Sequence, residues 1–359
     1  GYRPPPGMQP PPGQYPPMMP PPMFMAPPPA PRERSFARAI FMTLATTIFG
    51  LSLAANIYLL LFSGLMAGGA SARQSTIVDG DPTQRVAVIP VSGIIDAEAA
   101  QQFDRFMKIA EEDKHVKAVV IEIDSPGGTV TASDEMHHRV AQFKLEMAKQ
   151  NRNVPVVTAM ASVAASGGYY LACATDFVFA QPTTITGSIG VIAPRLNVSR
   201  LADKWGIEDR SIVATGADYK DAGSSFKPEE PNEIAYIQAL IDQSFGRFKE
   251  VVDKGRKGKL TSPLAEVANG KVFLGPEALT LGLVDQVGYL EDAYLHAGKG
   301  LTRMQVVRYQ NPPSLLEALS ARSNVGAVNA SPSGINVQLD WQKLLELSTP
   351  RMLYLWRGE

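Results

Sequence analysis

The sequence predicts an α/β domain behind a single transmembrane helix. Three observations predict it: a long apolar run with no charge, a body in which β-branched runs alternate with amphipathic helices, and a proline-crowded stretch ahead of both. Of 29 prolines, 15 fall in the first 32 residues. Such a stretch buries no core and forms no helix, so residues 1–35 are expected to be a disordered tail with polyproline-II character.

No charged residue stands between Arg38 and Arg73. Residues 36–67 are therefore read as a membrane anchor, because at about 1.5 Å per residue the run exceeds a hydrocarbon core of roughly 30 Å. A buried soluble helix rarely runs this long without a polar face. Ala70-Ser71-Ala72 has the small residues of a signal-peptide cleavage site, but the run is long for such a signal, which favours an uncleaved anchor. Arg32, Arg34 and Arg38 precede the span while Asp79 and Asp81 follow it. The positive-inside rule then places the N-terminus in the cytoplasm and the rest outside it, on a single-pass protein of the cell membrane.

Residues 68–84 are read as a linker and 85–310 as the α/β domain. Strands are expected at 86–91, 116–123 and 155–161, helices at 97–112 and 131–148, and a helix beginning near Ser166. Short strands follow around 177–179 and 188–192, then a long helix at 233–253, and helix and strand again to about 309. Strands that alternate with helices imply parallel pairing with right-handed crossovers. Residues 311–359 are a Ser/Asn/Gly-rich linker and an apolar tail ending near Met352-Leu-Tyr-Leu-Trp356. That tail is expected to pack on the domain or a neighbouring subunit; an amphipathic foot on the membrane surface and an extended tail in the substrate groove are the sharper options.

Composition removes several function classes. The 34 basic and 35 acidic residues balance to a net −1, leaving no surplus for nucleic acid. One cysteine, Cys173, excludes an intrachain disulfide and any cysteine-cluster metal site, and four histidines offer little for zinc. No metal and no cofactor are expected.

Two strand ends carry candidate chemistry. Asp124-Ser-Pro-Gly-Gly128 puts paired glycines where backbone N–H groups can face a ligand, although a Pro-Gly-Gly turn can be only a turn. Ala164-Ala-Ser-Gly-Gly-Tyr-Tyr170 puts Ser166 between a strand and a helix, either as a plain N-cap or as a nucleophile with oxyanion donors beside it. Such a serine needs a base, and no histidine lies between His138 and His296. His137 and His138 sit on a charged helix and read as a solvated face. A lysine made neutral by burial is the alternative. Ten lysines follow Ser166, and position alone does not choose among them; Lys220 differs in lying among small residues, where a surface lysine beside Asp221 is also an adequate account.

Taken together, Asp124-Ser-Pro-Gly-Gly128, Ala164-Ala-Ser-Gly-Gly-Tyr-Tyr170, Thr186-Gly-Ser-Ile-Gly-Val191, Asp218-Tyr-Lys-Asp-Ala-Gly223 and the run from Gly270 to Asp285 resemble the protease IV (signal peptide peptidase A) family. The resemblance covers about residues 85–309. It implies a ClpP/crotonase-like fold of repeated β-β-α/βαβ units and a serine endopeptidase acting on cleaved signal peptides. By the same resemblance Ser166 is the nucleophile, Lys220 the general base and Ser188 the residue that orients the lysine, with Gly128 and Gly167 as oxyanion donors. Only one copy of each motif is present, the half-length type. For that type the resemblance implies a homo-oligomer, an octamer, whose subunits share active sites. A non-catalytic membrane scaffold and a crotonase-like acyl-CoA enzyme are the alternatives.

Overall fold

In this computed structural model the described residues are 36–67, 73–311 and 352–356. The expected proline-rich tail, residues 68–72 of the linker that follows the anchor and nearly all of the C-terminal linker lie outside them. Two units divide the chain at residue 67.

The first unit contributes helix α1, Phe36–Ala67. Over Ile40–Leu60 it is long and apolar enough to cross a bilayer, and its described side chains are exposed within the protein. Thr46 and Thr47 turn their hydroxyls back onto backbone carbonyls of residues 42 and 43, and the Asn56 amide donates to the Ser52 carbonyl. Those bonds satisfy polar groups that lipid would leave bare.

In the second unit the α/β expectation is met. Ten strands among the described residues form one sheet. Its central members are β2 (Asp81–Ile95), β3 (Val116–Thr129), β4 (Val156–Ala165) and β5 (Phe177–Ala180), all parallel. Alternate residues of β2 and β3 feed two different cores. Ala87, Ile89, Val119 and Ile121 face α2 (Ala97–Glu112) and α3 (Val130–Lys149), whereas Val86, Val88, Ala118 and Val120 face α9 (Leu290–Ala297). A sheet covered on both faces needs such continuous apolar runs.

Helix α2 has the expected bounds and starts at Asp96, whose carboxylate accepts from the Ala99 N–H. Phe103, Phe106 and Met107 are buried and Ile109 is half-buried. Three expectations need correction. Residues 73–84, read as linker, form β1 (Arg73–Val78) and the start of β2; β1 pairs with β9 (Met304–Gln310), a partner too distant in the chain for local pattern to reveal. The strand expected at 188–192 ends early as β6, Ile185–Gly187, because Gly187 and Ser188 both take positive φ. His137 is half-buried against the ring of Tyr170, centroids 5.3 Å apart, and only His138 is solvated.

Candidate active site

Parallel register assembles the motifs. Ser125 of β3 pairs with Ala164 of β4, and Ala165 of β4 pairs with Gly187 of β6. The next residue on each of the last two strands is a serine, Ser166 and Ser188, so the sheet sets them side by side. The Ser166 N–H donates to the Gly187 carbonyl at 2.8 Å, and the Ser188 N–H donates to the Lys271 carbonyl at 2.7 Å.

Both serines are held in an unusual backbone conformation. Ser166 has φ 53° and ψ −111°, and Ser188 has φ 49°. Among the described residues Asn151 is the one other non-glycine with positive φ. A serine pays conformational strain of roughly 1–3 kcal/mol there, which persists only where the surroundings over-determine it. Ser166 precedes α4 (Gly167–Ala172), yet its side chain makes no capping bond to that helix. The plain role of an N-cap is thereby excluded. The residue as a whole is 1% exposed.

Two backbone donors flank it. A Cβ on Gly167 would stand 3.2 Å from the Gly128 nitrogen, and a Cβ on Gly127 would stand 2.7 Å from the Gly167 nitrogen. The two N–H groups named from sequence therefore share one small space. Gly127 takes φ 102°, open to glycine, and its N–H donates to the buried Ser125 hydroxyl at 3.0 Å. Gly128 lies against the backbone of Ile95 so closely that no side chain fits. These contacts fix the turn.

The fifth predicted residue stands apart. Lys220 lies on the irregular segment between β6 and α6 (Pro231–Gly255); its side chain is exposed and makes no hydrogen bond to Ser166. Its neighbour Lys227 is the ion-paired one, bonded to Asp221 and Glu233. Within one chain the structure brings together Ser166, Ser188, Gly128 and Gly167, and leaves Lys220 outside that cluster.

Other nucleophiles near the cluster are quenched. Burial pushes the Cys173 thiol up to about 12, despite the Arg256 charge nearby. Burial also raises the Tyr170 phenol, as does the Asp134 carboxylate to which it donates. The Gly270–Asp285 run, part of the resemblance but outside the expected site, ends in a structural ion pair. Asp285 receives both guanidinium arms of Arg256, at 2.8 and 3.1 Å, and the Val178 N–H at 2.8 Å.

The apolar Met352–Trp356 run packs on the domain, as expected for it, and does so as an extended segment. Residues Leu353–Leu355 form β10, antiparallel to Gly127–Thr129 of β3. Beyond it an open cleft of ≈ 720 Å³ is lined by Ser188, Val191, Asp242, Phe245, Leu355 and Trp356.

Comparison with known proteins gives two family matches: "Peptidase family S49" over residues 148–303, and "NfeD1b, N-terminal domain" over residues 85–205. An Enterococcus faecium protein with the provisional name signal peptide peptidase SppA is 33% identical over 325 residues, spanning 85% of this chain and 90% of that protein. Protease 4 of Haemophilus influenzae is 31% identical over 235 residues, which are 63% of this chain and 36% of that one. Among solved structures, a mutant 1510-N membrane-bound stomatin-specific protease in complex with a substrate peptide aligns with a TM-score of 0.41 and 22% identity, covering 67% of this chain and 97% of that one.

Proposed function

The chain belongs to peptidase family S49, alongside the signal peptide peptidase SppA proteins, and from that premise we propose a membrane-anchored serine endopeptidase whose Ser166–Lys220 dyad hydrolyses cleaved signal peptides and other unfolded apolar peptides. The observation that supports the nucleophile is Ser166 itself: buried, strained, uncapped and beside two glycine N–H groups. Neither the scaffold nor the acyl-CoA alternative gains support from these relatives.

In the proposed reaction Lys220 Nζ, uncharged, takes the Ser166 proton as Oγ attacks a peptide carbonyl carbon. The negative charge that forms on the carbonyl oxygen is met by the Gly128 and Gly167 N–H groups. Collapse breaks the C–N bond, and the lysine gives its proton to the departing amine. Water, losing a proton to the same lysine, then releases the acyl group and restores Ser166. Ser188 orients the lysine.

Lys220 is exposed in the single chain. Burial against a neighbour is what strips a lysine of its proton. The reading therefore includes a ring-shaped homo-oligomer, an octamer, in which Lys220 of one subunit serves Ser166 of the next. Around Lys220 the segment 193–230 exposes Leu196, Trp205, Ile212 and Tyr219, apolar surface suited to such an interface. Helix α1 holds the assembly in the membrane as a single pass, with the N-terminus cytoplasmic and the peptidase domain extracytoplasmic.

The test mixes Ser166→Ala and Lys220→Ala chains in detergent and follows cleavage of an apolar peptide by mass spectrometry. Each variant alone is expected to lose at least about 10³-fold in turnover, whereas a co-assembled 1:1 mixture regains about a quarter of native activity, since random neighbours restore one site in four. Co-assembly without recovery refutes sharing between subunits. Native-level cleavage by Ser166→Ala refutes the nucleophile.

A further inference from the structure

Lys220 is followed directly by an acid, Asp221. In the proposed reaction the lysine works without its proton, yet a carboxylate beside a lysine favours the protonated form. Asp221 therefore works against the proposed base unless its charge is taken up elsewhere.

Three successive turns carry the chain through this region. The N–H groups of Lys220, Ala222 and Ser224 donate to the carbonyls of Ala217, Tyr219 and Asp221, at 2.9, 3.2 and 2.9 Å. On one side of Lys220 the Tyr219 ring lies on Tyr236 of α6, centroids 5.0 Å apart. On the other side the Asp221 carboxylate accepts from Lys227 Nζ at 2.9 Å. The same ammonium donates to Glu233, in the first turn of α6. Glu233 is 4% exposed, and a carboxylate so buried requires a cation. Glu233 first, and Asp221 after it, hold the Lys227 pKa above the ordinary lysine value. Lys220, between these ties, is in no ion pair among the described residues. Its amine is unsupported in one chain, but the carboxylate next to it is occupied.

The other charged groups around Asp221 do not take this part. Arg195 Nε would stand 3.6 Å from a Cβ on Gly223, but its guanidinium pairs with Glu229 at 3.2 Å. Asp209 accepts from the Ser224 hydroxyl at 3.1 Å, and Asp218 is exposed; both are acids. Without Lys227 the carboxylates of Asp221 and Glu233 lose their shared cation, and the cation nearest to Asp221 along the chain is Lys220 itself.

We infer that Lys227, seated on Glu233, is a positioning residue for the proposed reaction: it draws the Asp221 carboxylate onto itself and so leaves the Lys220 amine free to give up its proton. The inference rests on the reading of Lys220 as general base, so its test follows the pH dependence of that base. The full-length chain in detergent is assayed for kcat/KM on an apolar peptide from about pH 5 to about pH 10. In the native chain kcat/KM is expected to rise with pH along an acid limb, as the base loses its proton. Lys227→Met alone would strand the buried Glu233 carboxylate, so it is combined with Glu233→Gln. In that double variant the limb is expected to move about one unit to higher pH, a roughly tenfold loss of kcat/KM low on the limb with the alkaline plateau kept. Adding Asp221→Asn is expected to return the limb to its native position. A loss that is the same at every pH, or a shift that Asp221→Asn does not reverse, means that Lys227 and Glu233 only support the fold, and overturns the inference. Native turnover by Lys220→Ala, or a native profile with no acid limb, sinks the base assignment instead, so the two failures are told apart.

Discussion

Two regions carry the proposed chemistry, and they are built in opposite ways. Around Ser166, β3, β4 and α4 bury nearly every side chain, strain two serines into positive φ and leave no room for a Cβ at Gly128. Over residues 193–230 regular structure is confined to α5 (Ser199–Lys204), only Ser199 and Ala202 are buried, and Ile212 is 99% exposed. Sheet register can hold a nucleophile and its oxyanion donors to within a fraction of an ångström without help. The segment bearing Lys220 lacks the contacts to hold a base at all within one chain. The division suggests why the proposed site needs a second subunit: its rigid half comes from the core, and its other half waits for a partner to bury it.

Placing one substitution in both regions breaks or confirms this contrast most sharply. Gly128→Ala puts a methyl group into the backbone of Ile95, which cannot yield without opening the β2–β3 ladder. A loss of about 4 kcal/mol or more is expected, at the upper end for single substitutions. Gly216, unlike Gly128, has positive φ, 81°, but nothing lies within 4 Å of a Cβ there. Gly216→Ala should cost only about 1 kcal/mol, the strain of the backbone alone. Urea unfolding at fixed protein concentration reads both; similar losses at the two positions would mean that the regions do not differ in rigidity.

The same contrast marks how far the sequence could be read. Apolar runs gave the middle of β2 and the first half of β3, and amphipathic spacing gave α2 to the residue. Ser166, Ser188, Gly128 and Gly167 were legible as motifs, and the register of three strands explains their convergence. What was illegible depends on distant partners. Strand β1 exists because β9, some 230 residues away, pairs with it, and β10 exists because the glycine turn has an open edge. A serine's letter carries no mark of positive φ, so the strain at 166 and 188 could not be foreseen. His137 was misjudged because its helix is charged on average, while the position itself packs against Tyr170.

His137 gives a pH handle on the buried region. Burial lowers its pKa from 6.5 to about 4; Asp134 opposes the shift, while Arg247, His138 and Lys144 add to it. The folded state thus binds the proton less readily than the unfolded chain, so this contribution is complete above pH 6.5 and is lost as pH falls from 6.5 towards 4. About 2 kcal/mol of stability should disappear over that window, less than the full shift implies because the ring is only half-buried. His137→Gln should flatten the curve there. An unchanged slope would exclude His137 as the source of acid sensitivity in that window; Asp285, buried but held low by Arg256 and Lys259, gives up its contribution only at pH below 3.8.

The smallest effects in stability separate the two halves of the proposed dyad most cleanly. Ser166→Gly removes the hydroxyl and also relieves a conformation that glycine adopts freely, at the entropic cost that glycine adds to the unfolded chain. The net expectation is a gain of about 1 kcal/mol, seen as a higher urea midpoint, in a protein with no turnover. Lys220→Ala removes an exposed side chain that no ion pair holds among the described residues, and should leave stability within about 0.5 kcal/mol while turnover is lost equally. Equal losses of activity, with a gain in stability at one position and none at the other, are what the proposed strained nucleophile and externally positioned base require. If Ser166→Gly instead destabilises by more than about 1 kcal/mol, the serine is supporting its turn rather than being forced by it, and the strain argument for Ser166 fails.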